Sequence, residues 1–281
     1  MEVHRHQETA DFLQHAGEFL AAREAEHNLI LGLSSRLRED PFAFGEAPYL
    51  AAVEDDGRIV AAALRTPPHN LVLSEIDDLA ALEPLCADVL LAFDALPGAT
   101  GPTEDVARFA KLWEAATGAR GRRAISERIF RAEHVEPPPS VAGRMRPYAG
   151  SDRELALRWL DAFGTEALPD SQQGSPAGAL EHRLADPAGG YVVWEDGEPV
   201  CLAGFGGPTP NGIRIGPVYT PPDLRGRGYG SALAAALTQR LLDGGRRFCF
   251  LFTDLANPTS NSIYQRIGYR PVSDIDLWSF D

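Results

Sequence analysis

A glycine-rich run with two arginines stands directly before a helical pattern of leucines at positions 233, 237 and 241. Glycine adopts positive φ angles and lets a ligand approach the backbone closely. The start of a helix adds unpaired amide hydrogens and a partial positive charge. The run therefore predicts an anion-binding loop, called the glycine loop below, which comprises Arg225, Gly226, Arg227, Gly228, Tyr229, Gly230 and Ser231.

Three interpretations fit the glycine loop. As a purely structural turn between a strand and a helix, it would bring two arginines together with no acid in the loop apart from Asp223. As a dinucleotide-binding turn, it offers part of a GxGxxG pattern and an acid, Asp254, after the next strand, but Ser231 occupies the third glycine position. As a pyrophosphate clamp, the run from Arg225 to Gly230 satisfies the pattern (Arg or Gln)-x-x-Gly-x-(Gly or Ala).

The clamp pattern resembles the acetyl-CoA loop of the GNAT superfamily of N-acetyltransferases. The preceding GIRIGPVYTPPDLRG looks like the fourth strand of that family, and the following FLFTDLANPTSNSIYQRIGYRPV looks like its fifth strand, helix and final strand. The resemblance covers nearly all of residues 144–281. It implies an acyltransferase that uses acetyl-CoA to acetylate a primary amine by direct attack in a ternary complex. A non-catalytic acetyl-CoA sensor is the alternative.

The resemblance also implies roles for residues outside the loop. Backbone amides around Val218 and Tyr219 would bond the thioester carbonyl or the pantetheine arm. Tyr264 would be the general acid, since the family places a tyrosine hydroxyl beside the coenzyme sulfur and Tyr264 shares a helical face with Asn261. Asn257 and Asn261 would bond the cofactor, although Asn257 is equally suited to capping the short helix that follows it.

The sequence does not identify a general base. An ordered water relay would need no acid at all, and five acids are otherwise available to line the cleft: Glu166, Asp170, Glu181, Glu195 and Asp254. The segment GTEALPDSQQGSPAGALEHRL, at 164–184, occupies the substrate-specificity region of the family. Its content of glycine, proline, serine and glutamine predicts a mobile loop.

Three consecutive prolines, 137–139, lie near the middle of the chain and predict a stiff linker between two halves. We expect an α/β (α+β) fold with two GNAT-like domains, each a mixed, mostly antiparallel sheet flanked by helices. The predicted domains are 1–136 and 144–281, joined by a linker at 137–143. The second would be the catalytic acetyltransferase domain.

The two halves share a weak internal repeat. Asp56-Gly57 and Asp196-Gly197 each separate two apolar runs, and Asp-Gly in this position predicts a β-hairpin. Where a cofactor loop would follow in the first half, the sequence reads EIDDLAALEPL, with Asp77 and Asp78 and no glycine. Acids there would repel a pyrophosphate, so the first half is predicted to be a degenerate copy that lacks the cofactor loop.

Hydrophobic periodicity predicts the secondary structure of both halves. Helices are expected near 8–22, 24–38, 78–94, 103–117, 151–163, 176–185, after Gly228 and at 259–267. Strands are expected near 49–54, 58–65, 122–133, 190–195, 199–205, 212–220, from 247 and from 270, with an extended segment NLVLSEI at 70–76.

Composition limits the classes of partner. The chain has 281 residues, 44% of them hydrophobic, and a formal net charge of -14, so it is predicted to be globular and to avoid nucleic acid and anionic membranes. A small-molecule or peptide amine is a compatible substrate. The N-terminus MEVHRHQETADF lacks the layout of a secretory signal and no long apolar run is present, so we expect a cytoplasmic protein. The fused second copy predicts a monomer, with a homodimer as the alternative.

Cysteine and histidine spacing predicts neither a disulfide framework nor a metal site. Cys86, Cys201 and Cys249 are isolated in apolar runs, which suits buried thiols. His4 and His6 form a near pair, but no acid or cysteine stands beside them in the sequence at metal-ligand spacing. We therefore expect them on a solvated surface, with no metal.

Overall fold

A computed structural model describes residues 1–169 and 174–281. Its helices are α1 (Thr9–Ala22), α2 (Asn28–Glu39), α3 (Leu82–Ala92), α4 (Thr103–Thr117), α5 (Arg153–Ala167), α6 (Pro176–Ala185), α7 (Tyr229–Asp243) and α8 (Pro258–Arg266). Its strands are β1 (Glu2–His6), β2 (Tyr49–Asp55), β3 (Arg58–Arg65), β4 (Leu71–Leu73), β5 (Gly98–Pro102), β6 (Gly121–Ala132), β7 (Arg144–Pro147), β8 (Gly190–Asp196), β9 (Glu198–Gly206), β10 (Gly212–Tyr219), β11 (Phe248–Asp254) and β12 (Arg270–Phe280). The predicted mixed α/β fold is confirmed.

The described residues group into two compact units. The first comprises Met1–Arg128 together with Ser273–Asp281, and the second comprises Ile129–Val272. The end of the chain belongs to the first unit because β12 pairs antiparallel with β5, with Trp278 opposite Ala99. The division of the sequence into domains at 1–136 and 144–281, with a linker at 137–143, stays a prediction.

The first unit is built on a mostly antiparallel sheet in the order β1-β2-β3-β4-β5-β12. Side chains alternate across a strand, so successive residues of β2 enter different cores. Leu50 and Ala52 pack with the buried faces of α1 and α2, whereas Ala51 and Val53 pack with those of α3 and α4. Both faces of the sheet are therefore covered by helices.

The second unit has the strand order β11-β10-β9-β8-β7, and residues 129–132 at the end of β6 also belong to it. β7 to β10 pair antiparallel, and β10 pairs parallel with β11. Leu233 and Leu237 of α7 are fully buried against one face of this sheet. Trp159 of α5 and Leu180 of α6 pack on the opposite face. The core thus fixes α7, and with it the glycine loop that precedes this helix.

Both predicted hairpins are confirmed. The last residue pair before the turn is Asp55 opposite Arg58 in the β2–β3 hairpin and Asp196 opposite Glu198 in the β8–β9 hairpin. The turn glycines 57 and 197 have φ angles of +78° and +73°, which side chains rarely adopt. The local Asp-Gly signal was therefore sufficient to place each turn.

Three strands were not located by periodicity. β1 (EVHRH) and β7 (RMRP) consist mostly of polar or charged residues, and β5 (GATGP) contains two glycines and a proline. Residues of these kinds are poor strand signals by themselves, so the pairing partner determines the structure. α2 also begins later than predicted, at Asn28 instead of position 24. Among the described residues, no helix combines the length and apolarity that crossing a bilayer requires.

Replacing Gly98 by alanine tests the position of β12. A Cβ at this position would lie 2.0 Å from the backbone oxygen of Trp278, so β5 and β12 would have to move apart. We expect Gly98→Ala to lower the free energy of unfolding, measured by urea denaturation, by about 3 kcal/mol.

The matched control is Gly17→Ala in α1. A Cβ there would lie 3.9 Å from Leu13 Cβ, an ordinary contact, and alanine favours a helix by about 0.5–1 kcal/mol. Equal stability of Gly98→Ala and the wild type would show that β12 does not pair with β5.

Candidate functional site

The glycine loop connects β10 to α7 and depends on two left-handed backbone conformations. Gly226 has a φ angle of +77° and Gly228 one of +86°. A Cβ on Gly226 would meet no heavy atom within 4 Å, whereas one on Gly228 would lie 3.0 Å from Val141 Cγ2. These glycines therefore leave the loop with an exposed backbone immediately before the first turn of α7, where helix amides favour an anion.

The two arginines of the glycine loop are held by nearby oxygen atoms. Arg225 donates from Nε to the carbonyl oxygen of Thr220 at 2.9 Å and from Nη2 to Glu166 Oε2 at 2.5 Å. Arg227 donates to the carbonyl oxygen of Asp223 at 3.2 Å. The acid that compensates Arg225 thus comes from α5 and not from the loop itself.

β10 leaves β11 before it reaches the glycine loop. The two strands pair from Gly212 to Arg214, opposite residues 248–250. Beyond that point the register between β10 and β9 shifts, and Val218 and Tyr219 are paired with Ala203 and Leu202 of β9. Because β9 occupies one edge of this segment, its other edge is where an extended ligand can bond to the backbone.

Tyr264 lies on α8 and packs against the core beneath α7. Burial raises the pKa of its hydroxyl above the usual value, and the nearby Cys201 raises the pKa further. The hydroxyl therefore keeps its proton at neutral pH. Cys201 in turn accepts a hydrogen bond from Thr220 Oγ1 at 3.2 Å, and the backbone oxygen of Thr220 is the acceptor for Arg225. Thr220 thus connects Cys201 to Arg225 of the glycine loop through its hydroxyl and its backbone oxygen.

The two predicted cofactor-binding asparagines stabilise the turn between β11 and α8. Asn257 caps α8, with its Oδ1 accepting from the backbone amide of Ser260 at 3.1 Å. Asn261 donates from Nδ2 to the backbone oxygens of Asp254 and Asn257 at 3.1 and 3.0 Å, and its Oδ1 accepts from Thr253 at 2.5 Å. Their side chains have these structural roles, while binding of a cofactor by either residue stays a prediction.

The side chains of two predicted site tyrosines point into the protein. The Tyr219 hydroxyl donates to Glu166 Oε1 at 3.1 Å, and the Tyr229 hydroxyl donates to Asp196 Oδ2 at 2.6 Å. Burial, together with the bond to Glu166, raises the pKa of Tyr219. Both hydroxyls therefore bond within the protein, and binding of a cofactor by the backbone of either residue stays a prediction.

The acids considered as general bases have different surroundings. Glu181 pairs with Arg153 at 2.7 Å and Glu195 with Arg146 at 2.5 Å, both in ion pairs away from the loop. Asp254 accepts from the amide of Ala256 at 2.8 Å. Asp170 lies outside the described residues. The predicted mobile loop at 164–184 is helical up to Ala167 and again from Pro176.

Of the described acids considered as general bases, Glu166 is the one whose carboxylate bonds side chains of the predicted cofactor site. It accepts hydrogen bonds from Arg225 and Tyr219 on its two carboxylate oxygens. Because these donors occupy both oxygens, Glu166 orients the arginine and fastens α5 to the end of β10. Sequence reasoning placed it among five equivalent acids, since Glu166 and Arg225 are 59 residues apart.

The corresponding segment of the first unit contains a network of ion pairs. Arg23 bonds Glu75 at 2.6 Å and also pairs with Asp77, which receives a second bond from Arg58 at 2.5 Å. Burial raises the pKa of Asp77, but the bonds from the two arginines outweigh this effect and leave it below its usual value. Asp78 caps the following turn through the amide of Ala80, at 2.9 Å. Residues 75–78 therefore place carboxylate groups where the glycine loop of the second unit places a glycine-rich backbone.

Residues 154–269 match the model of the acetyltransferase (GNAT) family. The matched segment begins in α5, includes the glycine loop and ends after α8. Residues 154–269 therefore form a GNAT acetyltransferase domain. No curated protein matches the chain.

Several solved structures share the fold. A GCN5-related N-acetyltransferase from Kribbella flavida is 20% identical, covers 78% of this chain and 86% of its own, and superposes with a TM-score of 0.56. One from Sphaerobacter thermophilus is 17% identical over 98% of this chain and 94% of its own, with a TM-score of 0.59. A tandem GNAT protein from the clavulanic acid biosynthesis pathway is 13% identical, covers 100% of this chain and 98% of its own, and has a TM-score of 0.59. The predicted resemblance to tandem GNAT proteins is confirmed at the level of the fold.

Alanine substitutions test the conformation of the glycine loop. Gly226→Ala is expected to cost about 1 kcal/mol of unfolding free energy, because alanine must adopt a left-handed conformation. Gly228→Ala is expected to cost about 2 kcal/mol, since its Cβ also approaches Val141. Urea denaturation measures both values.

A double-mutant cycle separates the two contributions at Gly228. Removing the Val141 side chain in the Gly228→Ala background should recover part of the lost stability, whereas Val141→Ala with Gly226→Ala should be additive. Equal losses of unfolding free energy for the two alanine substitutions, with no coupling to Val141, would contradict the contact between Gly228 and Val141.

Proposed function

We propose that this protein is an acetyl-CoA-dependent N-acetyltransferase that transfers an acetyl group to a primary amine of a small molecule or peptide by direct attack in a ternary complex. The observation that carries the proposal is the glycine loop, whose left-handed glycines and adjacent arginines lie at the start of α7. The match of residues 154–269 to the acetyltransferase family supports the same activity.

The residues around the loop suit a pyrophosphate with a long amide-containing arm. Amides of the loop from Gly226 to Ser231 would hold the pyrophosphate together with Arg225 or Arg227, because guanidinium groups and helix amides both favour phosphate oxygens. The open edge of β10 at Val218 and Tyr219 would bond the pantetheine arm. Open space beside Gly226 keeps the loop backbone accessible. When bound, acetyl-CoA supplies the activated acetyl thioester.

Tyr264 is the residue of this chain suited to donating a proton. The hydroxyl carries its proton at neutral pH, as a general acid for the leaving thiolate must. Burial raises its pKa and so makes it a weaker acid in the absence of ligand. Glu166 contributes indirectly, because its bond to Arg225 holds the guanidinium beside the loop. The amides of β10 would polarise the thioester carbonyl.

The proposal includes a cytoplasmic monomer. Cys86, Cys201 and Cys249 are buried free thiols, as expected in a reducing compartment. The network of acids at 75–78 in the first unit supports a single cofactor site per chain, in the second half.

Calorimetric titration with acetyl-CoA tests the cofactor. We expect saturable binding with one site per chain, and at least a tenfold loss of affinity on Arg225→Ala, because a charge-assisted hydrogen bond contributes about 1.5–3 kcal/mol. Gly228→Glu should abolish binding, since it introduces a bulky anion at the phosphate site.

Matched controls make the same chemical changes beyond the far end of α7. Gly245 has a φ angle of +96° and open space around a Cβ, and Arg247 is exposed at the start of β11. Gly245→Glu and Arg247→Ala should bind acetyl-CoA like the wild type. Binding of NADH in place of acetyl-CoA would contradict the proposal and favour the dinucleotide interpretation.

Replacing Tyr264 by phenylalanine tests turnover. We expect kcat, measured as thiol release across a panel of primary amines, to fall by about 100-fold while calorimetric binding of acetyl-CoA persists. The control is Tyr269→Phe, which removes a buried hydroxyl that bonds Thr238 at 2.8 Å and keeps the ring that packs edge-on against Tyr264. It should keep kcat and lose about 1 kcal/mol of stability.

Two results of this experiment would contradict catalysis by Tyr264. Unchanged kcat in Tyr264→Phe would remove the tyrosine from the mechanism. Tight acetyl-CoA binding by the wild type, with no thiol release on any amine, would favour a sensor over an enzyme.

A further inference from the structure

Three histidines and a glutamate meet in the first unit, remote in sequence from the glycine loop. His4 and His6 lie on the same face of β1, because alternate residues of a strand point to the same side. His15 comes from α1 and Glu54 from the end of β2. The sequence-based expectation that His4 and His6 have no acidic partner is therefore wrong. The set His4, His6, His15 and Glu54 is called the histidine cluster below.

The distances within the histidine cluster are those of a compact ligand set. His15 Nε2 lies 2.9 Å from Glu54 Oε2, and His4 Nε2 lies 3.8 Å from the same oxygen. One potential ligand atom from each of these three residues lies within 4.8 Å of the other two. Ligands of a tetrahedral zinc ion are separated by roughly 3.4 Å, so side-chain shifts of roughly 1 Å would bring these three atoms around a cation.

One of the three potential ligand atoms, His4 Nε2, is a buried polar atom. His4 Nε2 is shielded from solvent and has no hydrogen-bond partner among the described residues. Its contacts with Glu54 Oε2, at 3.8 Å, and Glu2 Oε2, at 4.0 Å, are too long for hydrogen bonds. A cation between the imidazole and the carboxylate would satisfy both groups at once.

His6 contacts the ring of His15 on the side away from Glu54. Its Nε2 lies 3.2 Å from Nδ1 of His15, the ring nitrogen that does not face Glu54. Histidines that bind metals commonly donate their second ring N–H to a neighbouring acceptor, which fixes the tautomer and the orientation of the ring. With the proton on Nδ1 directed to His6, Nε2 of His15 has a free lone pair for a metal.

We propose that the histidine cluster binds one divalent transition-metal ion, with Zn²⁺ as the best match, through His4, His15 and Glu54, and that His6 orients His15. Two imidazoles and one carboxylate form a ligand set that zinc prefers, with water completing the tetrahedron. Each of the three ligand side chains is about one third exposed, which leaves access for water and for the ion. The bound ion joins β1, α1 and β2 and is independent of the acetyl-transfer site.

Metal titration of the full chain, prepared without an affinity tag, tests the site. Zn²⁺ is titrated against the protein in competition with a chromophoric chelator. We expect one Zn²⁺ per chain and at least a tenfold weaker affinity in His15→Ala and in Glu54→Gln. Zn²⁺ should raise the unfolding temperature of the wild type but of neither of these two variants. Glu54→Gln is nearly isosteric, so it removes the charged ligand with little change in packing.

The matched control is His134→Ala. His134 is an exposed histidine that also lies near a carboxylate, Glu136, at 3.4 Å, but without further ligands beside it among the described residues. This variant should bind Zn²⁺ like the wild type. Substitution of Co²⁺ should give the intense visible absorption of a tetrahedral site in the wild type and in His134→Ala.

Two outcomes would overturn the proposal. The first is that the wild-type protein has no higher affinity for Zn²⁺ than the His15→Ala variant. The second is tight binding that survives both His15→Ala and Glu54→Gln, which would place the ion elsewhere. Neither outcome bears on acetyl-CoA binding, which is measured in separate titrations.

Discussion

The candidate active site depends on the separation of β10 from β11. Buried backbone amides and carbonyls need hydrogen-bond partners, so a strand inside a sheet normally pairs on both edges. β10 pairs with β11 only from Gly212 to Arg214 and continues beside β9 to Tyr219. Along the edge of β10 that does not pair with β11, a bound ligand can form the hydrogen bonds that a neighbouring strand would otherwise form. The packing of α5 on one face and α7 on the other holds this open arrangement in place.

The glycine loop and its arginine are positioned by the same framework. The core residues of α7 fix the helix start, while left-handed φ angles at Gly226 and Gly228 direct the chain into it. Glu166 then connects α5 to the loop through Arg225 and to β10 through Tyr219. In the first unit, arginines and carboxylates neutralise one another at 75–78. The two halves therefore differ in the groups at this position, which are carboxylates at 75–78 and a glycine-rich backbone before a helix at 226–231.

Local signals made much of this predictable from the sequence. The Asp-Gly turns and the periodicity of α7 depend on neighbouring residues, and both were located correctly, while the pyrophosphate-binding role of the clamp pattern stays a prediction. Contacts between distant residues were not predictable, because spacing along the chain carries no information about them. The pairing of Glu166 with Arg225, the placement of β12 beside β5, and the convergence of His15 and Glu54 on His4 are all of this kind. Asn257 shows the remaining ambiguity, since one residue type serves both a helix cap and a ligand.

The central claim is that the second half alone binds acetyl-CoA through the glycine loop. Hydrogen–deuterium exchange with and without coenzyme A, read by peptide mass spectrometry, tests it most directly. The account predicts slower exchange in peptides that cover 215–232, with no change in peptides that cover 70–90 of the first unit. Protection at 70–90, or none at 215–232, would contradict it.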